Sequence, residues 1–237
     1  MNIKDKLTIV IPCKNEENYI EKTITHIVKQ YGIKGTRVIV ADGFSTDKTR
    51  SKIMSSSESF KDMLRIELVN GGTVSFARNF GASITKTPYV LFMDADTILI
   101  ENDTIQSTIN HMIKYELVTC KIKSVGKDFR TSIGFKLFNF VNKIISKKTP
   151  FAVGTFFMTR VGVFNKLGGF DESLHHSEDY VLSKKYNRKK FKLSDKFIGQ
   201  DDRRFKKMGY LFMVKLLIKG YLNRNNIEFY RKSVNYW

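Results

Sequence analysis

Cysteine, proline and long apolar runs are all scarce in this sequence. Two cysteines in 237 residues, Cys13 and Cys120, cannot build a disulfide framework, and a chain without one suits a reducing compartment. Three prolines and a hydrophobic content of 42% exclude a disordered polymer and leave enough apolar side chain for a buried core. No window holds ~20 uninterrupted apolar residues, so no spanning helix is expected. In the opening stretch MNIKDKLTIVIPCKNEE the apolar run LTIVIP is too short for a secretory leader and ends in charge. The length suits one domain, or one domain with an extension.

Acidic residues run short mainly downstream. Residues 1–100 carry 14 Lys/Arg against 11 Asp/Glu, a net +3. Residues 101–237 carry 27 against 12, a net +15, which completes the +18 of the chain. The second half therefore asks for an anionic partner: a phosphorylated substrate, nucleic acid or an anionic membrane surface. A compositional bias toward lysine is the alternative reading.

The first hundred residues alternate in period. LTIVIP (7–12), TRVIVADG (36–43), LRIELVN (64–70) and YVLFM (89–93) read as strands. Between them, 15–32, 45–60 and 74–85 carry helical spacing and end signals. Strand–helix alternation predicts right-handed βαβ units, hence an α/β, Rossmann-like, mostly parallel sheet flanked by helices. The second half is less regular: helices over 102–115, 132–148 and 203–222, and strands over 116–125 and 151–160.

Ligands of such sheets bind beyond the carboxyl ends of the strands. Three strand ends carry polar groups: Pro12-Cys13-Lys14-Asn15-Glu16, Asp42-Gly43, and Asp94 with Asp96. A D-x-D at the end of a buried strand suits a hard divalent cation, Mn²⁺ or Mg²⁺, whose shell the oxygens of a diphosphate could complete. A turn with a helix cap would use the same residues.

Seven segments in order resemble the family 2 glycosyltransferases, inverting enzymes of the GT-A fold: TIVIPCKNEE, VIVADGFSTDKT, ARNFGA, VLFMDADT, GGFDE, SEDYVLSKK and QDDRRF. The resemblance implies a hexosyltransferase-like GT-A domain over 1–200. Its half 1–100 would bind the nucleotide-sugar and its half 101–200 the acceptor, with a basic amphipathic extension over 201–237. It further implies that Pro12, Glu16, Asp42 and Arg78 bind the nucleoside-diphosphate sugar together with Asp94 and Asp96, and that Asp96, with Asp94, holds the metal. Cys13 stands where such enzymes usually carry threonine. Asp179 would be the general base, oriented by Glu178, and Arg203 and Arg204 would stabilise the leaving diphosphate. Gln200-Asp201-Asp202-Arg203-Arg204-Phe205 is closer to the R-R-F variant of small, non-processive members than to Q-x-x-R-W. His175 and His176 read as surface loop residues.

Two helices, 132–148 and 203–222, are apolar over most of their surface and striped with lysine: Lys136, Lys143 and Lys147 with Asn139, and Lys215 with Lys219. Such helices either lie in the headgroup region of an anionic membrane or pack inward. Membrane binding would suit a lipid-linked or membrane-proximal glycan acceptor, at the cytoplasmic face of a membrane. Two other classes compete. A nucleotidyltransferase would carry a Gly-rich basic loop after the first strand, where this chain has PCKNEE. A nucleic-acid or nucleotide binder without catalysis would show a recognition motif, and none is present, so nucleic acid is not an expected partner.

Overall fold

Strand β1 (Leu7–Cys13) is buried along its whole length, and β2 (Thr36–Asp42) nearly so. Their unbroken apolar runs are what a parallel sheet covered on both faces requires. A computed structural model describes residues 2–210, 212, 215, 219, 220 and 222–232. Around β1 and β2 stand β3 (Leu64–Asn70), β4 (Tyr89–Phe92), β5 (Ile98–Leu99), β6 (Leu117–Ser124), β7 (Phe157–Arg160) and β8 (Phe191–Gln200). Among the described residues they form one sheet in the order β3-β2-β1-β4-β7-β6-β8-β5. The first four strands pair in parallel, β7 runs antiparallel to β4 and β6, and β6 pairs with β8 in parallel. The sheet is thus mixed, parallel in its first half and interrupted by the antiparallel β7 in its second.

Alternate residues of the central strands enter separate cores. Ile9, Ile11, Val38, Val40 and Leu91 pack on one face with α1 (Ile20–Val28), while Val10, Ile39, Val90 and Phe92 pack on the other. On that second face α3 (Val74–Ser83) crosses β1 closely because Gly81 has no side chain. A Cβ there would press on Cγ1 of Val10 and come within 2.9 Å of its Cγ2. Val10 is fully buried and β-branched, so it cannot swing away. Gly81→Ala is expected to cost about 1–3 kcal/mol by overpacking, read as a lower denaturation midpoint with an unchanged m-value.

The chain goes β1, β2, β3 in one direction and then crosses to β4 on the other side of β1. The crevice at that reversal lies beyond the carboxyl ends of β1 and β4, where Glu16 and Asp94 follow their strands.

Several elements depart from the sequence expectation. Only Phe157–Arg160 of the predicted strand 151–160 is strand; residues before it make a turn closed by the Val153–Phe156 bridge. Strand β8 has no counterpart in the sequence reading, because lysines, a serine and an aspartate break its alternation and its register with β6 shifts between Thr119 and Lys121. Helix α5 (Phe129–Ile145) starts early because the Asp128 side chain caps it, accepting from the Arg130 N–H at 2.9 Å. The predicted helix 203–222 is interrupted: α8 (Arg203–Met208) stops at Gly209, whose φ of +84° leaves the helical region. Much of the rest of that segment lies outside the described residues. Helices α2 (Thr49–Ser59), α4 (Thr104–His111), α6 (Val161–Lys166), α7 (Glu178–Ser183) and α9 (Ile227–Arg231) complete the labelled set. Among the described residues no helix is long and apolar enough to cross a membrane.

Candidate active site

The loop after β1 is zipped to the loop after β2. The Asn15 and Glu16 N–H groups donate to Ser45 Oγ and Thr49 Oγ1, both at 2.8 Å, and Thr46 N–H donates back to Asn15 Oδ1 at 2.9 Å. Pro12 lies buried in β1 beneath this loop. Asp42 is fully buried at the end of β2. Its carboxylate accepts from the Ser45 hydroxyl and N–H and from Arg50 Nη1 at 2.8 Å. The predicted base-binding group is thus already engaged by its own chain, and Arg50, absent from the sequence-based set, is its principal counter-ion. Cys13 Sγ sits 3.8 Å from Asp42, and burial raises this thiol far above its usual range, so it is an inert wall rather than a nucleophile.

Arg78 is the residue on which the two halves meet. It projects from α3 and is 3% exposed. Nη2 donates to Asp94 at 2.8 Å and Nη1 to Glu178 at 2.5 Å. Burial alone would pull its pKa down; the charges of Asp94, Glu178 and Asp179 more than offset that, and the guanidinium stays ionised. The Phe170 ring lies 5.2 Å from its carbon centre. Gly154 leaves the space for it: a Cβ there would fall 2.5 Å from Nη2. The neighbouring Asn79 holds Phe170 in place, donating to its carbonyl and accepting from its N–H, both at 2.9 Å. Two sequence segments, ARNFGA and GGFDE, therefore meet as one structural unit.

A second arginine closes the other side. Strand β8 returns the chain to the crevice, and Arg203 at the start of α8 forks onto Glu16 at 2.7 and 2.9 Å and reaches Asp96 Oδ2 at 2.9 Å. It stacks 4.4 Å from the Tyr19 ring centre. Burial raises the Glu16 carboxyl above its usual range, against the pull of Arg203. The Arg204 side chain lies outside the described residues.

Asp179 stands in the first turn of α7, behind Ser177 in the left-handed region at φ 58°. Its carboxylate accepts from Gly154 N–H at 2.6 Å and from Tyr180 N–H at 2.7 Å. Dense surroundings, and then the Glu178 charge, push its pKa up to about 7, with Arg78 and the two N–H donors pulling the other way. The carboxylate is therefore poised to take up a proton near neutrality. His176 departs from the surface expectation: it is buried, its Nε2 lies 3.2 Å from the Phe229 carbonyl, and its ring meets Phe229 and Tyr230. Residues from the 201–237 stretch thus pack into the domain at both Arg203 and Tyr230.

The structure gathers the predicted residues in two ion-pair clusters, Arg78 with Asp94 and Glu178 beside Asp179, and Arg203 with Glu16 and Asp96, and the D-x-D supplies one carboxylate to each. Asp42 is linked to them through the loop, by way of Ser45 and Asn15. Gly154 and Asn79 were not singled out from sequence, since a lone glycine or asparagine carries no chemical signal.

Comparison with known proteins supplies the remaining observation. Residues 8–168 match the family model described as glycosyl transferase family 2. Glycosyltransferase GlyA of Streptococcus pneumoniae is 33% identical over 116 residues, 49% of this chain and 16% of that protein. The Escherichia coli enzyme WfgD, a UDP-Glc:alpha-D-GlcNAc-diphosphoundecaprenol beta-1,3-glucosyltransferase, is 30% identical over 108 residues, 46% of this chain and 41% of its own. Among solved structures, the Pyrobaculum calidifontis mannosyltransferase PcManGT in complex with GDP-Man and Mn²⁺ superposes with a TM-score of 0.69 at 19% identity, over 90% of this chain and 64% of that one. The chain thus spans less than half the length of either sequence relative.

Proposed function

The chain belongs to glycosyl transferase family 2, and on that premise we propose that it is an inverting transferase moving a hexose from a UDP- or GDP-linked donor to an acceptor hydroxyl. The observation that carries this reading is the double ion bridge of Arg78, which ties Asp94 of the D-x-D to Glu178 beside Asp179. Donor-side and acceptor-side carboxylates are held within the span of one guanidinium.

Asp179 takes the acceptor proton as that oxygen attacks C1, and the nucleoside diphosphate leaves from the opposite face, which inverts the centre. A positioned base contributes roughly 10²–10⁴-fold. Glu178 keeps the Asp179 pKa high and faces the acceptor. Pro12, Glu16 and Asp42 wall the nucleoside side. Arg203, with Arg204, meets the negative charge of the departing diphosphate once the donor displaces Arg203 from Asp96.

Asp94 and Asp96 are the residues that would hold a divalent cation. Their side chains keep 26% and 12% exposure, and both offer hard oxygen donors one residue apart. Among the described residues no third His, Cys, Asp or Glu joins them. When bound, Mn²⁺ or Mg²⁺ supplies positive charge to the leaving diphosphate. PcManGT with its GDP-Man and Mn²⁺ supports that pairing, and WfgD, whose acceptor is a diphosphoundecaprenol-linked sugar, supports a lipid-linked acceptor.

Nucleoside diphosphate release from UDP-glucose and GDP-mannose, with Mn²⁺ or with chelator, tests the reading. Asp96→Ala is expected to lower metal-dependent release by at least about 10²-fold. Release indifferent to metal and to Asp96 would overturn the metal assignment. Turnover of nucleoside triphosphates with pyrophosphate release would instead identify a nucleotidyltransferase.

A further inference from the structure

Helix α5 has two apolar faces, and among the described residues only one of them is packed. Phe135 is buried, Phe138 packs on the sheet core, Asn142 is buried, and Asn139 is turned inward, donating to the Ile122 carbonyl at 2.7 Å and accepting from its N–H at 3.0 Å. Asn139 therefore does not share an outer stripe with the lysines. On the opposite side Phe129, Ile133, Leu137, Phe140, Val141 and Ile144 are 71, 58, 52, 62, 41 and 49% exposed. At 3.6 residues per turn these six fall within an arc of about 120°. Such a contiguous exposed patch marks an interaction site.

The rim of the patch is basic. Lys136 and Lys143 border one edge of the arc, and Lys147 and Lys148 follow the helix end; all four are exposed. From residue 129 to 170 the chain holds seven Lys/Arg and no Asp or Glu. A second copy of this chain, laid face to face on the patch, would set lysine rim against lysine rim without acids to match them. An anionic bilayer matches both parts: hydrocarbon for the arc and headgroup phosphate for the rim. The helix is 17 residues long, roughly 25 Å, and so suits lying in the interface rather than crossing it.

We propose that the outward face of α5 docks onto an anionic lipid surface. The underside of the same helix leads to the candidate site by ring contacts: Phe138 to Phe151 at 5.8 Å, Phe151 to Tyr180 at 4.9 Å, and Phe135 to Phe205 at 5.3 Å. Tyr180 follows Asp179, and Phe205 lies two residues past Arg203. A bilayer on the outer face would therefore lie across one helix from the acceptor side. The docking stands independently of the transfer reaction, since it needs neither donor nor base.

Co-sedimentation with phosphatidylglycerol–phosphatidylcholine vesicles, against phosphatidylcholine alone, tests it. The full chain is expected to pellet with the anionic vesicles at low salt and to be released as salt rises. Leu137→Gln/Phe140→Gln is expected to weaken binding at least about ten-fold, and each of Lys136→Ser and Lys143→Ser about five-fold. These positions are exposed, so circular dichroism and the melting temperature should stay at the parent values. No binding to anionic vesicles, or binding that ignores Leu137 and Phe140, overturns the proposal. So does a dimer in light scattering that Leu137→Gln/Phe140→Gln dissolves. Donor-induced thermal shift, measured without lipid, would still report on the nucleotide site, so failure of one reading is distinguishable from failure of the other.

Discussion

Replacing Asp179 by asparagine is expected to lower kcat about 10²–10⁴-fold while donor affinity stays nearly unchanged. Gly154 and Tyr180 donate to different oxygens of the carboxylate, so asparagine keeps the shape and one of the two acceptors; the change in pH profile, rather than the drop alone, isolates proton transfer. The parent enzyme should lose rate tenfold per unit as pH drops below about 7, where the carboxylate protonates. The asparagine variant should show no such limb. Glu178→Gln removes one cause of the raised pKa and should move the limb to lower pH. Stability should move the opposite way. In the native state Asp179 holds its proton up to about 7, whereas an unfolded aspartate releases it near ~3.9. The native state thus binds more protons in that window, and the unfolding free energy falls as pH rises through it. An asparagine side chain cannot ionise and escapes that loss. Relative to the parent, Asp179→Asn should therefore gain stability as pH rises from ~4 to about 7, on top of a pH-independent cost for the hydrogen bond it loses. Denaturant titrations at both ends measure it. A variant that keeps most of the parental kcat removes Asp179 from the role of base.

Arg78→Met should damage both stability and activity. The side chain is 3% exposed and is the ion-pair partner of Asp94 and Glu178, which are 26% and 16% exposed. Removing it leaves two half-buried carboxylates facing one another, and breaking such a buried pair costs about 3–5 kcal/mol. Transfer should fall at least about 10²-fold, because the carboxylates lose the cation that sets their spacing. The double variant Arg78→Met/Glu178→Gln should recover much of the stability, since one orphan charge is gone, but little of the activity. Arg78→Lys is not expected to rescue, because an ammonium is a point charge and cannot fork onto two separate carboxylates. Gly154→Ala should mimic a mild form of the same defect, with its Cβ driven onto the guanidinium. Recovery of activity in the double variant would reduce Arg78 to a purely structural residue.

The readable part of this protein was its parallel half. The runs 7–12, 36–43, 64–70 and 89–93 are strands in the structure within about a residue or two at each end. Continuous apolar stretches between helical spacings have few other solutions. The second half was harder for a physical reason. Strand β8 carries polar residues over much of its length, and the 151–156 stretch is apolar yet forms the turn that presents the Gly154 N–H to Asp179. Apolar content alone cannot tell a strand from a buried turn. The outward face of α5 shows the same limit: apolar residues encircle that helix, and only packing shows which of them are used.

The sequence by itself determined the strand–helix order of the first hundred residues and the acidic groups at the strand ends, because both rest on local spacing, and the resemblance of seven ordered segments pointed to the family. Tertiary structure decided which of those groups face one another. Asp42 and Arg50 are eight residues apart, but Arg78 and Glu178 are separated by 100 and Arg203 and Glu16 by 187. Pairs so distant in the chain leave no periodic trace. They are chosen when α3, α7 and α8 dock at the edge of one sheet, where a buried charge must find a partner to remain charged.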